Sequence, residues 1–210
     1  MKKVMIALGL VLGCASGALA GDASAGKGKT LVCSACHGAD GNSAAATFPK
    51  LAGQNEKYLI KQMLDIVSGA RPVPTMVGQL DNMSREDIAD IAAFYASQAN
   101  SGGQTSAELL DLGQKVYRAG VSARGVAACS ACHGPRGSGN APAGFPALAG
   151  QHADYIADQL RKFQIGAENT LEQNAAGRTN DGDGRIMRDV AAGMSDNEIA
   201  AVSSYIAGLH

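Results

Sequence analysis

Cys33-Ser34-Ala35-Cys36-His37-Gly38 and Cys129-Ser130-Ala131-Cys132-His133-Gly134 are one six-residue string written twice. Two cysteines three positions apart, followed at once by histidine, form the attachment pattern for c-type haem. The spacing follows from the chemistry. Thiols one helical turn apart can both reach the vinyl groups on one porphyrin edge, and the next residue then aims its imidazole at the iron. One copy could arise by chance, but two identical copies in a chain of five cysteines point to two covalent haem c groups. A zinc site does not require histidine directly after both cysteine pairs. A thioredoxin-like redox pair needs a βαβ pattern that is absent. A disulfide between residues three apart would be a small strained loop, made twice.

The chain has 210 residues, room for one or two domains. Met1-Lys2-Lys3, the apolar run Val4 to Leu12 and the small-residue end Ala18-Leu19-Ala20 have the order of a secretory signal peptide. The apolar run is too short to span a bilayer. Cleavage after Ala20 is expected, with export to the periplasm. The alternative is a lipoprotein leader with its lipid on Cys14. Either way the remaining cysteines work outside the cytoplasm, where free thiols oxidise.

The chain carries 18 basic and 19 acidic residues, and loss of Lys2 and Lys3 leaves 16 basic. No strong basic patch marks a nucleic-acid partner. Tryptophan is absent and aromatics make up 4%. Each half is therefore expected to depend on its buried haem for apolar surface.

Asp22 caps a helix expected to run through Leu31 and Val32 into the first haem motif. A glycine-rich loop and Phe48-Pro49-Lys50-Leu51-Ala52-Gly53-Gln54 follow. Glu56 to Val67 reads as an amphipathic helix, Arg71 to Met76 as an extended proline loop, and Ser84 to Ser97 as a last helix. Asn100 to Ser106 reads as a flexible polar linker. The second half repeats the plan, with helices expected over 107–119, 153–165 and 195–207, and with Phe145-Pro146-Ala147-Leu148-Ala149-Gly150-Gln151. The offset between copies is 96 at the cysteines, 97 at the Phe-Pro segment and 111 at the last helix, so the extra length falls in Gly166 to Gly184, read as a flexible loop. Asp181-Gly182-Asp183-Gly184 hints at a calcium loop, but Arg185 and Ala192 stand where ligands are required. The expected fold is all-α, a tandem duplication of a small helical domain. Its parts are 1–20 signal peptide, 21–100 first domain, 101–107 linker and 108–210 second domain.

Each half serves as a control on the other. A sixth iron ligand used by both haems should recur at matching positions. His152 stands opposite Asn55 and His210 has no partner, so both read as surface residues. Met63 stands opposite Leu160 and reads as core. Two pairs survive: Met76 with Met187, and Met83 with Met194. Met83 and Met194 each directly precede a serine with an acid three residues on, a capping-box pattern in which the residue before the cap packs on the helix. That accounts for them structurally. Met76 and Met187, expected in loops, are therefore the candidate axial ligands opposite His37 and His133. Thioether ligation raises the reduction potential and closes the sixth position, favouring electron transfer over peroxide or oxygen chemistry. The imidazoles need a hydrogen-bond acceptor to hold them, and the Phe48-Pro49 and Phe145-Pro146 segments are candidates.

The doubled haem string, the doubled Phe-Pro-x-Leu-Ala-Gly-Gln, Met76 and Met187, Arg178-Thr179-Asn180-Asp181-Gly182-Asp183 and the ending Ser203 to His210 together resemble the dihaem cytochrome c4 family, over essentially the whole mature chain. The resemblance implies two class I cytochrome c domains related by a pseudo-twofold axis, with haems facing across the interface. It implies that the Pro49 and Pro146 carbonyls accept from the proximal histidines. It also implies a monomeric periplasmic carrier, soluble or loosely membrane-held, between a quinol-oxidising complex and a terminal oxidase. The competing functions are a permanently docked subunit of a dehydrogenase or oxidase, and a dihaem peroxidase, which the paired methionines disfavour.

Overall fold

The computed structural model describes residues 21–168 and 176–210. The leader and Cys14 lie outside them. The described residues are helical, with no strand beyond the isolated bridges Val121–Val126 and Asn140–Phe145. None of their helices is long and apolar enough to cross a membrane.

The first half holds α1 (Ala23–Lys29), α2 (Leu31–His37), α3 (Glu56–Val67) and α4 (Arg85–Ala96), with a 3-10 turn at Pro74–Met76. The second holds α5 (Leu110–Ala119), α6 (Ser130–His133), α7 (Ala153–Ala167), α8 (Ile186–Ala192) and α9 (Asp196–Ala207). In each half the last helix is the hub. The first and third helices pack on α4, as α5 and α7 pack on α9. Ser84 and Ser195 both close capping boxes, with Asp87 and Glu198 reaching back. Each satisfies two otherwise orphaned donors at a helix start.

Glycine permits the closest helix approach in each half. A Cβ on Gly26 would lie 2.0 Å from the Asp90 carbonyl oxygen, and one on Gly113 would lie 2.3 Å from that of Ala201. These sites correspond between halves, so the duplication has kept one crossing geometry.

Three expectations change. The first helix does not run unbroken into the haem motif: Asp22 caps α1, but Thr30 leaves helical geometry (ψ 7°) and its hydroxyl donates to the Lys27 carbonyl. Segment 100–106 is not free. Ser101 N–H donates to Asn42 Oδ1 at 2.8 Å, Ser106 N–H donates to Ser204 Oγ at 2.9 Å, and Gly103 lies against Ala207. The described part of the long loop is also pinned. Arg178 is buried, its backbone N–H donates to the Lys162 carbonyl, and Asp181 pairs with Arg188 at 2.7 Å with both side chains under 10% exposed. Polar composition predicted mobility here, whereas these polar groups are partners for buried backbone and charge.

The two cores differ in size. The second-half cluster contains thirteen buried residues, among them Val116, Tyr117, Ile199 and Val202. The first-half cluster contains five: Leu59, Ile91, Ala92, Phe94 and Tyr95.

Candidate haem sites

Each histidine of the doubled string sits at the end of a short helix that glycine terminates, Gly38 at φ 81° and Gly134 at φ 77°. The chain then turns back through a second glycine. Gly41 carbonyl accepts from Leu51 and Ala52 N–H, and Gly137 carbonyl accepts from Leu148 and Ala149 N–H. Gly41 has φ 83°, and an added Cβ would lie 2.7 Å from the Tyr95 ring. This turn brings each proline carbonyl over its imidazole. His37 Nδ1 lies 2.9 Å from Pro49 O, and His133 Nδ1 lies 2.9 Å from Pro146 O.

A carbonyl oxygen only accepts, so Nδ1 carries the proton and Nε2 keeps its lone pair. Burial pushes both imidazoles below their ordinary pKa, partly offset by the proline carbonyl. Each is therefore held neutral, oriented and able to bind a metal. Phe48 and Phe145 lie 6.2 Å from these rings, centroid to centroid.

The four described cysteines form no disulfide with one another. Cys33 and Cys129 pack against the two cores, and Cys36 is exposed. Among the described residues no three of His, Cys, Asp and Glu converge, so the two motifs do not merge into one zinc site. The donor chemistry instead fits haem: a neutral imidazole directly after two thiols one turn apart, with apolar Leu31 ahead of the string and Val77 after Met76 exposed at 82% and 76%.

Met76 ends the 3-10 turn and is half-buried. Met187 is half-buried on α8, a helix rather than the expected loop. Met194 is buried in the second core and Met83 packs against the first.

The halves meet through the repeated Phe-Pro segments. Gln54 Nε2 donates to the Ala147 carbonyl and Gln54 Oε1 accepts from Ala147 N–H, both at 2.8 Å. Gln151 does the same to Lys50, at 2.8 and 2.9 Å. His152 is not a surface residue. It is half-buried and its Nε2–H donates to Ser43 O at 3.0 Å in the other half, as Asn55 donates to Phe145 O.

A buried polar cluster completes this interface. Gln62 Oε1 accepts from Arg71 and Arg178 at 3.0 and 2.8 Å, and Gln159 Oε1 accepts from the same two at 3.1 and 2.8 Å. Tyr155 and Tyr58 accept from the guanidiniums as well. The Asp65 carboxylate, which accepts from Asn180 at 2.6 Å, offsets one of these two buried cations, and a second anion would offset the other. The propionates of haem are anions of the required kind. Sequence alone does not mark this cluster: Arg71 reads as the start of the proline loop and Arg178 as part of a polar one.

The cytochrome c family profile matches residues 25–99 and 110–210. Cytochrome c4 of Pseudomonas aeruginosa is 52% identical over 211 residues, all of both chains. The chain belongs to the cytochrome c4 family. The crystal structure of reduced recombinant cytochrome c4 from Pseudomonas stutzeri is similar, at TM-score 0.85 and 50% identity over 91% of this chain and all of that one. A thiosulfate dehydrogenase electron acceptor of Stutzerimonas stutzeri is 37% identical over 185 residues, 85% of this chain and 79% of that one. As a member of the cytochrome c4 family, the chain is an electron carrier with two covalently attached haem c groups.

Proposed function

We propose that Cys33 and Cys36 bind one haem as thioethers and Cys129 and Cys132 the other, with His37 and Met76 axial to the first iron and His133 and Met187 to the second. The observation that carries this reading is the matched pair of 2.9 Å contacts from His37 to Pro49 and from His133 to Pro146. A prosthetic group's ligand needs that orientation, and both halves have kept it. Bound haem c supplies a one-electron ferric/ferrous couple. The residues do the rest. Pro49 and Pro146 hold the imidazoles neutral and aimed. Met76 and Met187 close the sixth position, which favours electron transfer over peroxide chemistry. Arg71 and Arg178 would supply positive charge to the haem propionates. The proposed division is 21–100, a 101–107 linker and 108–210.

The proposed setting is the periplasm, reached through the 1–20 leader. There the monomer diffuses between donors and a terminal oxidase. A second route in is favoured by the similarity to the thiosulfate dehydrogenase electron acceptor: electrons arriving from a dehydrogenase as well as from a quinol-oxidising complex.

The test is a visible spectrum of the exported protein, oxidised, reduced, and reduced under carbon monoxide, followed by mixing with respiratory membranes. Two c-type haems, no response to carbon monoxide and rapid oxidation by the membranes are expected. Ready carbon monoxide binding at either haem would overturn the closed sixth position and revive peroxidase chemistry. Failure to be oxidised would overturn the oxidase partner.

A further inference from the structure

The Pro146–Ala147 peptide group has two partners. Its carbonyl accepts from His133 Nδ1–H, and its N–H donates to Gln54 Oε1 in the other half. The Pro49–Lys50 peptide group is bound the same way, its carbonyl by His37 and its N–H by Gln151. Both glutamines are buried, at 8% and 7% exposure. Their carboxamides cannot flip without losing both bonds, because the Nε2 end donates to the carbonyl of the same residue. Asn55 and His152 N–H groups also donate to those Oε1 atoms, which fixes them as acceptors.

We infer that Gln54 and Gln151 are positioning residues that tune the axial histidine of the opposite domain. This inference rests on the ligand assignment proposed above. An amide whose N–H is hydrogen-bonded carries more negative charge on its oxygen, so bonds in series strengthen one another. A stronger acceptor on Nδ1–H makes the imidazole a better donor to iron and favours the ferric state. Each domain thus sets part of the other's reduction potential through one peptide group, with no through-space term required.

The experiment is a redox titration of the haem-loaded Gln54→Met protein, with each haem followed separately by its methyl proton resonances. The His37 and His133 Nδ1–H signals are read in the reduced state. The ferrous-to-ferric ratio of the second-domain haem should rise roughly two- to fivefold at fixed ambient potential. A threefold rise is about 28 mV at 59 mV per tenfold for one electron. The His133 Nδ1–H signal should move and the His37 signal should not. Gln151→Met should give the reverse pattern. Asn55→Ala is the control, since it removes an interface bond to Phe145 O but leaves the Ala147 N–H bonded. It should leave both potentials in place. Equal shifts at both haems, a larger shift in the substituted domain, or the same shift in the Asn55→Ala control would overturn the inference. Failure of the ligand assignment looks different: the His133 ring protons would lack the large upfield displacement of an imidazole lying over a porphyrin, in the unsubstituted protein as well.

Discussion

Met194→Ala and Met187→Ala should separate packing from ligation within one domain. Met194 is 6% exposed and belongs to the second core beside Ile199, which α9 presents one turn past its cap. Truncation removes three buried heavy atoms and leaves a cavity against residues that are almost fully enclosed. The expected loss is about 2–4 kcal/mol. With a urea slope of about 1–3 kcal/mol per molar, a 3 kcal/mol loss lowers the midpoint by about 1–3 M. The main-chain bonds of Met194, to Ala191 O and from Gln164, survive the substitution. The helix start should therefore hold, and the visible spectrum and potential should stay as they were. Met187 is half-buried, so its packing loss is smaller, about 1 kcal/mol. Its expected signature is chemical: a lowered potential and carbon monoxide binding at one haem only. Urea unfolding by circular dichroism, a carbon monoxide difference spectrum and a potentiometric titration read the two effects independently. Carbon monoxide binding in Met194→Ala, with an unchanged spectrum in Met187→Ala, would refute the reasoning and exchange the two roles.

Gly113→Ala places a Cβ 2.3 Å from the Ala201 carbonyl oxygen and should cost about 1–3 kcal/mol as α5 and α9 are forced apart, whereas Gly28→Ala meets no atom within 4 Å and should be neutral or stabilising by up to about 1 kcal/mol. Thermal melts of the two variants check this, and equal destabilisation would contradict it. Lys29 holds the Asp87 and Asp90 carboxyls below the usual carboxylate range. Depressed values in the folded state mean stability that is present above about pH 4 and lost as pH falls below it. The Lys29→Met protein should accordingly show a flatter acid limb in urea titrations, and an unchanged limb would exclude the pair as its source. The chain matured without haem should lose helix, and more in the first half than the second, because a five-residue cluster must stand where the other half has thirteen. Hydrogen exchange resolved by peptide measures this, with equal protection of α4 and α9 as the contrary result.

The sites were legible in the sequence to the extent that their chemistry is local. Cys-x-x-Cys-His declares a haem because all three residues act within one helical turn. The capping boxes at Ser84 and Ser195 were readable for the same reason. What escaped was long-range. The break at Thr30, whose hydroxyl donates to the Lys27 carbonyl, is reported by nothing in the apolar pattern. Met187 was expected in a loop ahead of the last helix, yet α8 starts at Ile186 with Arg185 in the left-handed region at φ 48°. His152 was set aside because its counterpart is Asn55. That comparison says nothing about burial, and both residues reach across to the other half. The repeated Phe-Pro-x-Leu-Ala-Gly-Gln gives no sign of the bonds that Gln54 and Gln151 make. Their partners are main-chain groups over ninety residues away, which carry no sequence signal.

Because Gln54 and Gln151 grip main chain, the interface does not depend on which side chain follows the proline: Lys50 stands in one half and Ala147 in the other. The same surface appears on both partners, which is the arrangement of an isologous dimer. A single half would therefore be self-complementary, able to pair with a copy of itself through the same two carboxamides. The covalent span between the halves turns that bimolecular meeting into an intramolecular one. Joining two units in one chain thus removes dependence on protein concentration, and it frees each unit to drift away from its twin while the pairing persists.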